Sequence, residues 1–414
     1  MKKVLTIICC LLSAVCCPKS FAQTTLFSTE GSSVPYRIPA ITTTHDGRLI
    51  AVSDYRHCGA DIGFGRVDLH YRLSEDKGTT WGKELSLVEG DGVKGSTRCG
   101  YGDAALVADA MSDTVLLICV TGNTVYGHAT TTRQNPNRVA RIYSYDGGRT
   151  WQAPEEITEQ IYGLFDASEL GPVQSLFFGS GRICQSRMVK VGSHYRLYAA
   201  LCARPGGNRV IYSDDLGRTW HALGDIHTSP APKGDEPKCE ELPDGSVILS
   251  SRAWGGRHFN VFHYFKKPSL KNPAYGMWDE EYADSGQMPD GVIAKDNACN
   301  GEIILVEARR AKDNKKTWLL FQTVPFGPKR ANVGFYYKEI APKTSYWAKD
   351  IAAGWSRGMQ VSYAASGYST LTLQTDDRIG FFWEDKSSAP NGYQMNYKPL
   401  SIAQITFGKF LPLF

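Results

Sequence analysis

Three aspartates recur in one small setting. The segments SEDKGTTW (74–81), SYDGGRTW (144–151) and SDDLGRTW (213–220) share the skeleton S-x-D-x-G-x-x-W and start about 70 residues apart. Asp76, Asp146 and Asp215 are carboxylates that could act as acids or bases. Their neighbours assign them to turns instead: the Ser and Asp oxygens accept backbone N–H groups, the Gly supplies a positive φ, and the Trp packs back on a sheet. A fourth aspartate is placed differently. In RHCGADIGFGRVDLHYR (56–72), Asp61 lies among Gly59, Gly63 and Gly65, which let a loop approach a ligand closely. A carboxylate so placed can meet a ligand, and its ordinary alternative is a turn cap. Asp68 sits inside the alternating strand that follows and is the weaker candidate.

The elements that must hold such groups are strands. Apolar segments are short, as in TVLLICV (114–120), YRLYAALC (195–202), IILVEAR (303–309) and IGFFWED (379–385), and Gly/Asp turns separate them. Short strands at steady spacing argue for an all-β fold. Repeated hairpins argue further for a radial array of four-stranded sheets, a β-propeller. Six blades of about 65 residues fit the length, with long loops between them. Residues 159–182 are less patterned and read as a long loop. A decayed fourth box is read in YYKEIAPKTSYW (336–347).

Lys2 and Lys3 followed by an apolar run to Cys17 and by Ser20-Phe21-Ala22 read as a secretory signal peptide over 1–22, with Gln23 the first mature residue. The run is too short for a membrane span, and a lipoprotein reading of Cys16 or Cys17 is weaker. One domain, 23–414, is expected, exported to a periplasm or the extracellular space and acting as a monomer. Cys58, Cys99, Cys119, Cys184, Cys202, Cys239 and Cys299 remain after cleavage; they lack metal-site spacing and read as buried thiols more than as a disulfide framework. The net charge of +4 is too small and dispersed for nucleic acid, yet its sign favours an anionic substrate. No cofactor motif is visible.

YRIPA at 36–40, just upstream of the first box, completes a pattern. An Arg-Ile-Pro on the first strand followed by aspartate boxes resembles the exo-α-sialidase (neuraminidase) family, of the secreted bacterial type, over essentially the whole mature chain. The resemblance implies a six-bladed propeller with boxes on the outside and an active site at the centre of one face. It implies three arginines that clamp a substrate carboxylate. Arg37 is the first; Arg252, in DEPKCEELPDGSVILSSR (235–252), is the second; Arg330, in PFGPKRANV (325–333), is the third, with Arg309 and Arg310 as competitors. Guanidinium forks suit a carboxylate, whereas an isolated arginine more often ends in a surface ion pair.

The same resemblance implies the catalytic set. Asp61 is the acid/base and Arg56 a substrate contact. Tyr368, in SGYSTLTLQTDDRIGFFWE (366–384), is the nucleophile, and Glu236 is the base that activates it, in competition with Glu240 and Glu241. Glu384 orients the first arginine, and Asp103, in GYGDAAL (100–106), faces the ring hydroxyls. Tyr126 and its loop (121–138) are candidates for the N-acetyl pocket. The implied substrates are sialylated glycoproteins, glycolipids and oligosaccharides. The implied reaction is hydrolysis with retention and without a metal; transfer of the sugar to galactosides and non-catalytic glycan binding are the alternatives.

Overall fold

The computed structural model describes residues 22–341, 345–389 and 392–413. The leader read at 1–22 lies outside these residues except for Ala22. Six sheets follow one another along the chain as the blades of a β-propeller. Blade 1 holds Tyr36–Thr43, Leu49–Tyr55, Asp68–Ser74 and Leu85–Val88, and blade 2 holds Tyr101–Ala108, Val115–Thr121, Arg138–Ser144 and Glu155–Glu156. In blade 3, Cys184–Val191 precedes His194–Arg204, Arg209–Ser213 and His221–Ala222. Blade 4 is Asp235–Glu241, Val247–Ala253, Gly256–Tyr264 and Gly276–Trp278; blade 5 is Ile303–Arg310, Lys316–Pro325, Val333–Ile340 and Ser356–Gln360. Blade 6 contributes Ser366–Leu373, Ile379–Lys386 and Tyr393–Leu400, and takes its outer strand, Thr24–Ser28, from the other end of the chain. That antiparallel pairing joins the two ends of the chain and closes the ring.

Six apolar clusters fill the gaps between neighbouring blades, which explains the short apolar runs. In blade 4, Ile248 faces blade 5 while Val247 and Leu249 face blade 3. In blade 5, Ile303 and Leu305 face blade 4 while Ile304 and Val306 face blade 6. With a side-chain period of two, a strand buried on both faces must be apolar at successive positions.

The three boxes are turns between the third and fourth strands of blades 1, 2 and 3. In each, the Ser Oγ donates to the Asp and accepts the Gly N–H, and the Asp accepts the Thr N–H, all at 2.8–2.9 Å. The glycine lies against the preceding blade. A Cβ at Gly78 would overlap the Tyr397 hydroxyl, and one at Gly217 would overlap Leu116. Each box therefore closes a turn and packs one blade on the last. Asp215→Ala removes two acceptors from the third box and is expected to lower stability by about 1–2 kcal/mol, with activity per folded molecule unchanged. Chemical denaturation beside an activity titration checks this.

Two expectations need correction. Residues 159–182 are not a bare loop: they include most of a short helix, Thr158–Tyr162, a 3₁₀ turn, Gly163–Phe165, and the strands Ser175–Phe178 and Gly181–Arg182. Ile157, Ile161, Tyr162 and Phe165 recur at helical spacing and are buried between blades 2 and 3. No fourth box turn forms among the described residues of 336–347. Its head continues the third strand of blade 5, positions 342–344 fall outside the described residues, and half-exposed Trp347 lies against His263 ahead of the helix Ala348–Ala352. Cys58 and the six buried cysteines are free thiols. Among the described residues no helix is long and apolar enough to cross a membrane.

Candidate active site

Four blades begin with a local fault at the same place. The pairing register slips between Arg37 and Pro39 in blade 1, Gly102 and Ala105 in blade 2, Asp235 and Pro237 in blade 4, and Ser366 and Ser369 in blade 6. Each slip frees a residue from the ladder and re-aims a side chain. The freed segments carry or adjoin Arg37, Asp103, Glu236 and Tyr368. Ile38 and Asp103 adopt positive φ, +59° and +57°. For β-branched Ile38 that conformation costs about 1–3 kcal/mol. Hydrogen bonding opposes the cost, because the Ile38 N–H donates to Glu384 Oε1 at 2.7 Å.

A cavity of about 370 Å³ opens at this end, and its lining includes Arg37, Arg56, Asp61, Asp103, Glu236, Arg252, Arg330 and Tyr368. Glu384 lies behind it, fully buried, and accepts from Arg37 Nε at 2.9 Å and from the Tyr368 N–H at 2.9 Å. All nine residues singled out in the sequence thus meet around one hollow.

On one side of it the Tyr368 hydroxyl donates to Glu236 Oε1, in a short hydrogen bond. Glu236 Oε2 accepts from Arg252 Nη1 at 2.8 Å, and that nitrogen is 3.5 Å from the Tyr368 oxygen. The Arg37 and Arg330 guanidinium groups stand 5.6 and 5.7 Å from the Tyr368 ring centroid. Burial, and then the Glu236 charge, hold the Tyr368 phenol well above its ordinary range, so it stays protonated until a base takes its proton. Burial works against the charge on Arg37, yet Glu384 more than offsets it and the guanidinium stays firmly protonated. Arg330 donates only to the Ala298 carbonyl, at 3.3 Å, and makes no ion pair among the described residues. A ligand carboxylate would supply the missing charge.

The other side is acidic. Asp61 is 61% exposed, and its Oδ1 accepts from Arg56 Nη2 at 2.9 Å. Asp103 Oδ1 lies 3.8 Å from the same nitrogen. Burial, then repulsion from Asp61 and Asp54, push the Asp103 carboxyl well above its ordinary range. Val125, Tyr126 and Phe177 form an apolar wall, with the Tyr126 hydroxyl 3.1 Å from Cys202 Sγ.

The competitors lie elsewhere. Glu240 binds Arg182 and Arg187, and Glu241 accepts from Ser186 and the Arg187 N–H, so Glu236 alone of the three reaches Tyr368. Arg309 bonds Asn314 and the Pro412 carbonyl, and Arg310 pairs with Glu339. Asp68 is held by Arg66 and His57. Two residues beside the site escaped the sequence reading. Tyr393 lies under Arg37, with the guanidinium 4.6 Å from its ring, and no sequence signal marks it. Asp54 is fully buried behind Arg56; a charged residue ending the apolar run RLIAVSDY could have drawn notice.

Comparison with known proteins agrees with this geometry. Residues 142–153, around the second box, match the BNR/Asp-box repeat model. The chain is 25% identical over 377 residues to a sialidase of Bacteroides fragilis, a match covering 86% of this chain and 61% of that one. It is 25% identical over 402 residues to Sialidase-3 of Mus musculus, covering 89% of this chain and 91% of that one. The chain thus spans about three fifths of the Bacteroides relative. Among solved structures, the intramolecular trans-sialidase of Ruminococcus gnavus superposes with a TM-score of 0.66 at 16% identity, covering 92% of this chain and 98% of that one. That likeness concerns the propeller fold.

Proposed function

We propose that the chain, which resembles the sialidases, is an exo-α-sialidase that hydrolyses terminal sialic acids from glycoconjugates with retention, working in the periplasm or outside the cell. The observation that supports this most is the hydrogen-bonded Tyr368–Glu236 pair ringed by three guanidinium groups. Binding an acidic sugar needs the arginines alone; a phenol hydrogen-bonded to a partly buried carboxylate adds a nucleophile and its base.

In this reading Arg37, Arg252 and Arg330 take the substrate carboxylate and set the anomeric carbon over the Tyr368 oxygen. A carboxylate nucleophile there would meet the substrate's own carboxylate; at 4 Å and an effective dielectric of 20 the repulsion is about 4 kcal/mol. A neutral phenol avoids it. Ionising tyrosine in advance at pH 7 would cost roughly 4 kcal/mol, so proton transfer to Glu236 accompanies attack. Asp61 protonates the departing glycosidic oxygen, and the C–O bond to the aglycone breaks as the bond to Tyr368 forms. Asp61 then takes a proton from water, water attacks the anomeric carbon, and Tyr368 leaves with the proton returned by Glu236. Two displacements at one carbon restore its configuration.

Turnover of sialyllactose and of an aryl sialoside by wild type and Asp61→Ala tests this. The variant is expected to lose about 10²-fold or more on sialyllactose, whose leaving alcohol needs a proton, and far less on the aryl glycoside, whose phenolate leaves unaided. Equal losses on both would remove Asp61 as the acid. Tight binding without released sugar in the wild type would instead favour a glycan-binding propeller.

A further inference from the structure

Asp54 ends its side of the second strand of blade 1 and is wholly buried. Its Oδ2 accepts from Arg56 Nε at 3.2 Å and Nη2 at 2.9 Å, and its Oδ1 accepts the Asp103 N–H at 3.0 Å. One carboxylate therefore ties a cavity arginine of blade 1 to the left-handed residue of blade 2. Gly102 makes room for it: a Cβ there would sit 2.9 Å from Asp54 Oδ2. Glu384 has the same place on the opposite side, where it joins Arg37 to the N–H groups of Ile38 and Tyr368.

The two carboxylates differ in their company. Asp54 shares Arg56 with Asp61 at 2.9 Å and Asp103 at 3.8 Å, so three carboxyl groups surround one guanidinium. The other ionisable groups on this cluster are Cys119 of blade 2, which is buried, Glu236, whose negative charge acts on Asp103, and Arg37, a like charge that works against the one on Arg56. An ionised Asp54 thus adds negative charge where it is already in excess. Both of its oxygens accept from N–H donors, so the shape of a carboxylate suits this place even though its charge is disfavoured there.

We propose that Asp54 is a positioning residue of the active site, one that locks Arg56 and Asp103 into a single unit facing the hydroxyl-bearing side of the sugar ring, at a cost in stability. The proposal rests on the sialidase reading. The charge behaviour agrees with it. Burial is the main cause, only partly offset by Arg56, and it pushes the Asp54 carboxyl up to about 6. The sign is that of a penalised anion: above pH 6 the ionised group destabilises the fold, and protonation relieves the penalty as the pH falls from 6 towards the ordinary range near 4. Protonation also weakens the grip on Arg56.

Asp54→Asn is the test, with Gly102→Ala pressing a methyl group on the same oxygen from the neighbouring strand. Both are expected to lower kcat/KM for sialyllactose about ten-fold, mainly through KM. Wild type should gain melting temperature as the pH falls from 7 to 5 and Asp54→Asn should gain less, and the variant's fall in kcat/KM on acidification should begin at lower pH, with one carboxyl fewer to titrate. A wild-type melting temperature that does not rise over this range, or a rise equal in Asp54→Asn, would overturn the inference, because the ionised carboxylate would then carry no cost. So would kcat/KM within two-fold of wild type. If wild type releases no sialic acid, the proposed function fails instead, and the melting comparison still decides whether Asp54 is held at a cost.

Discussion

Tyr368→Phe is expected to lower kcat by about 10⁴-fold while the melting temperature and the affinity for a sialoside stay near wild type. The substitution removes one oxygen. That oxygen donates to Glu236, lies 3.5 Å from Arg252, and so stands beside both a base and a guanidinium group. The phenyl ring would keep its packing with Ile38 and Cys299. Glu236 would keep its bond to Arg252 at 2.8 Å, so the loss falls on chemistry and spares binding. Steady-state kinetics beside equilibrium binding separates the two. A ten-fold loss or less would mean that another group attacks the anomeric carbon.

Arg252→Ala is expected to lower kcat/KM by about 10²–10³-fold, with a large rise in KM. Two effects combine. The substrate carboxylate loses a charge-assisted partner, and Glu236 loses the cation that holds it at 2.8 Å. Arg252→Lys should recover little, since a point charge on a flexible stem cannot serve Glu236 and a carboxylate together as a planar fork can. The contrast with Tyr368→Phe is diagnostic: one variant binds without reacting, and the other binds poorly.

How far the sequence carried can be judged from particular residues. The boxes were legible because their chemistry is local: Ser213, Asp215 and Gly217 satisfy one another within five residues. Six blades fitted the chain length with long loops inserted between them, and the family resemblance implied the same number. The short helix at 158–162 was missed because four apolar residues spread over nine positions look like a loop beside strands. The nine candidate residues came from motifs, and the structure gathers eight of them in one cavity with Glu384 behind Arg37. The bulges that aim Arg37, Asp103, Glu236 and Tyr368 were not legible, since a register slip depends on the partner strand. Tyr393 meets Arg37 only across the chain, so nothing near it marks its place, and Asp54, although it bonds Arg56 two residues on, gives no local sign of its bond to Asp103 in the next blade.

The most direct measurement is covalent trapping. A sialic acid carrying fluorine at the anomeric carbon and at the neighbouring ring carbon has a good leaving group, and the second fluorine slows breakdown of the intermediate. After brief exposure of the wild-type protein and proteolysis, mass spectrometry should find the sugar on the peptide bearing Tyr368, bound through its phenolic oxygen. The label should be absent from Tyr368→Phe. A label on Asp61 or Glu236, or turnover of the reagent with no adduct at all, would contradict the account.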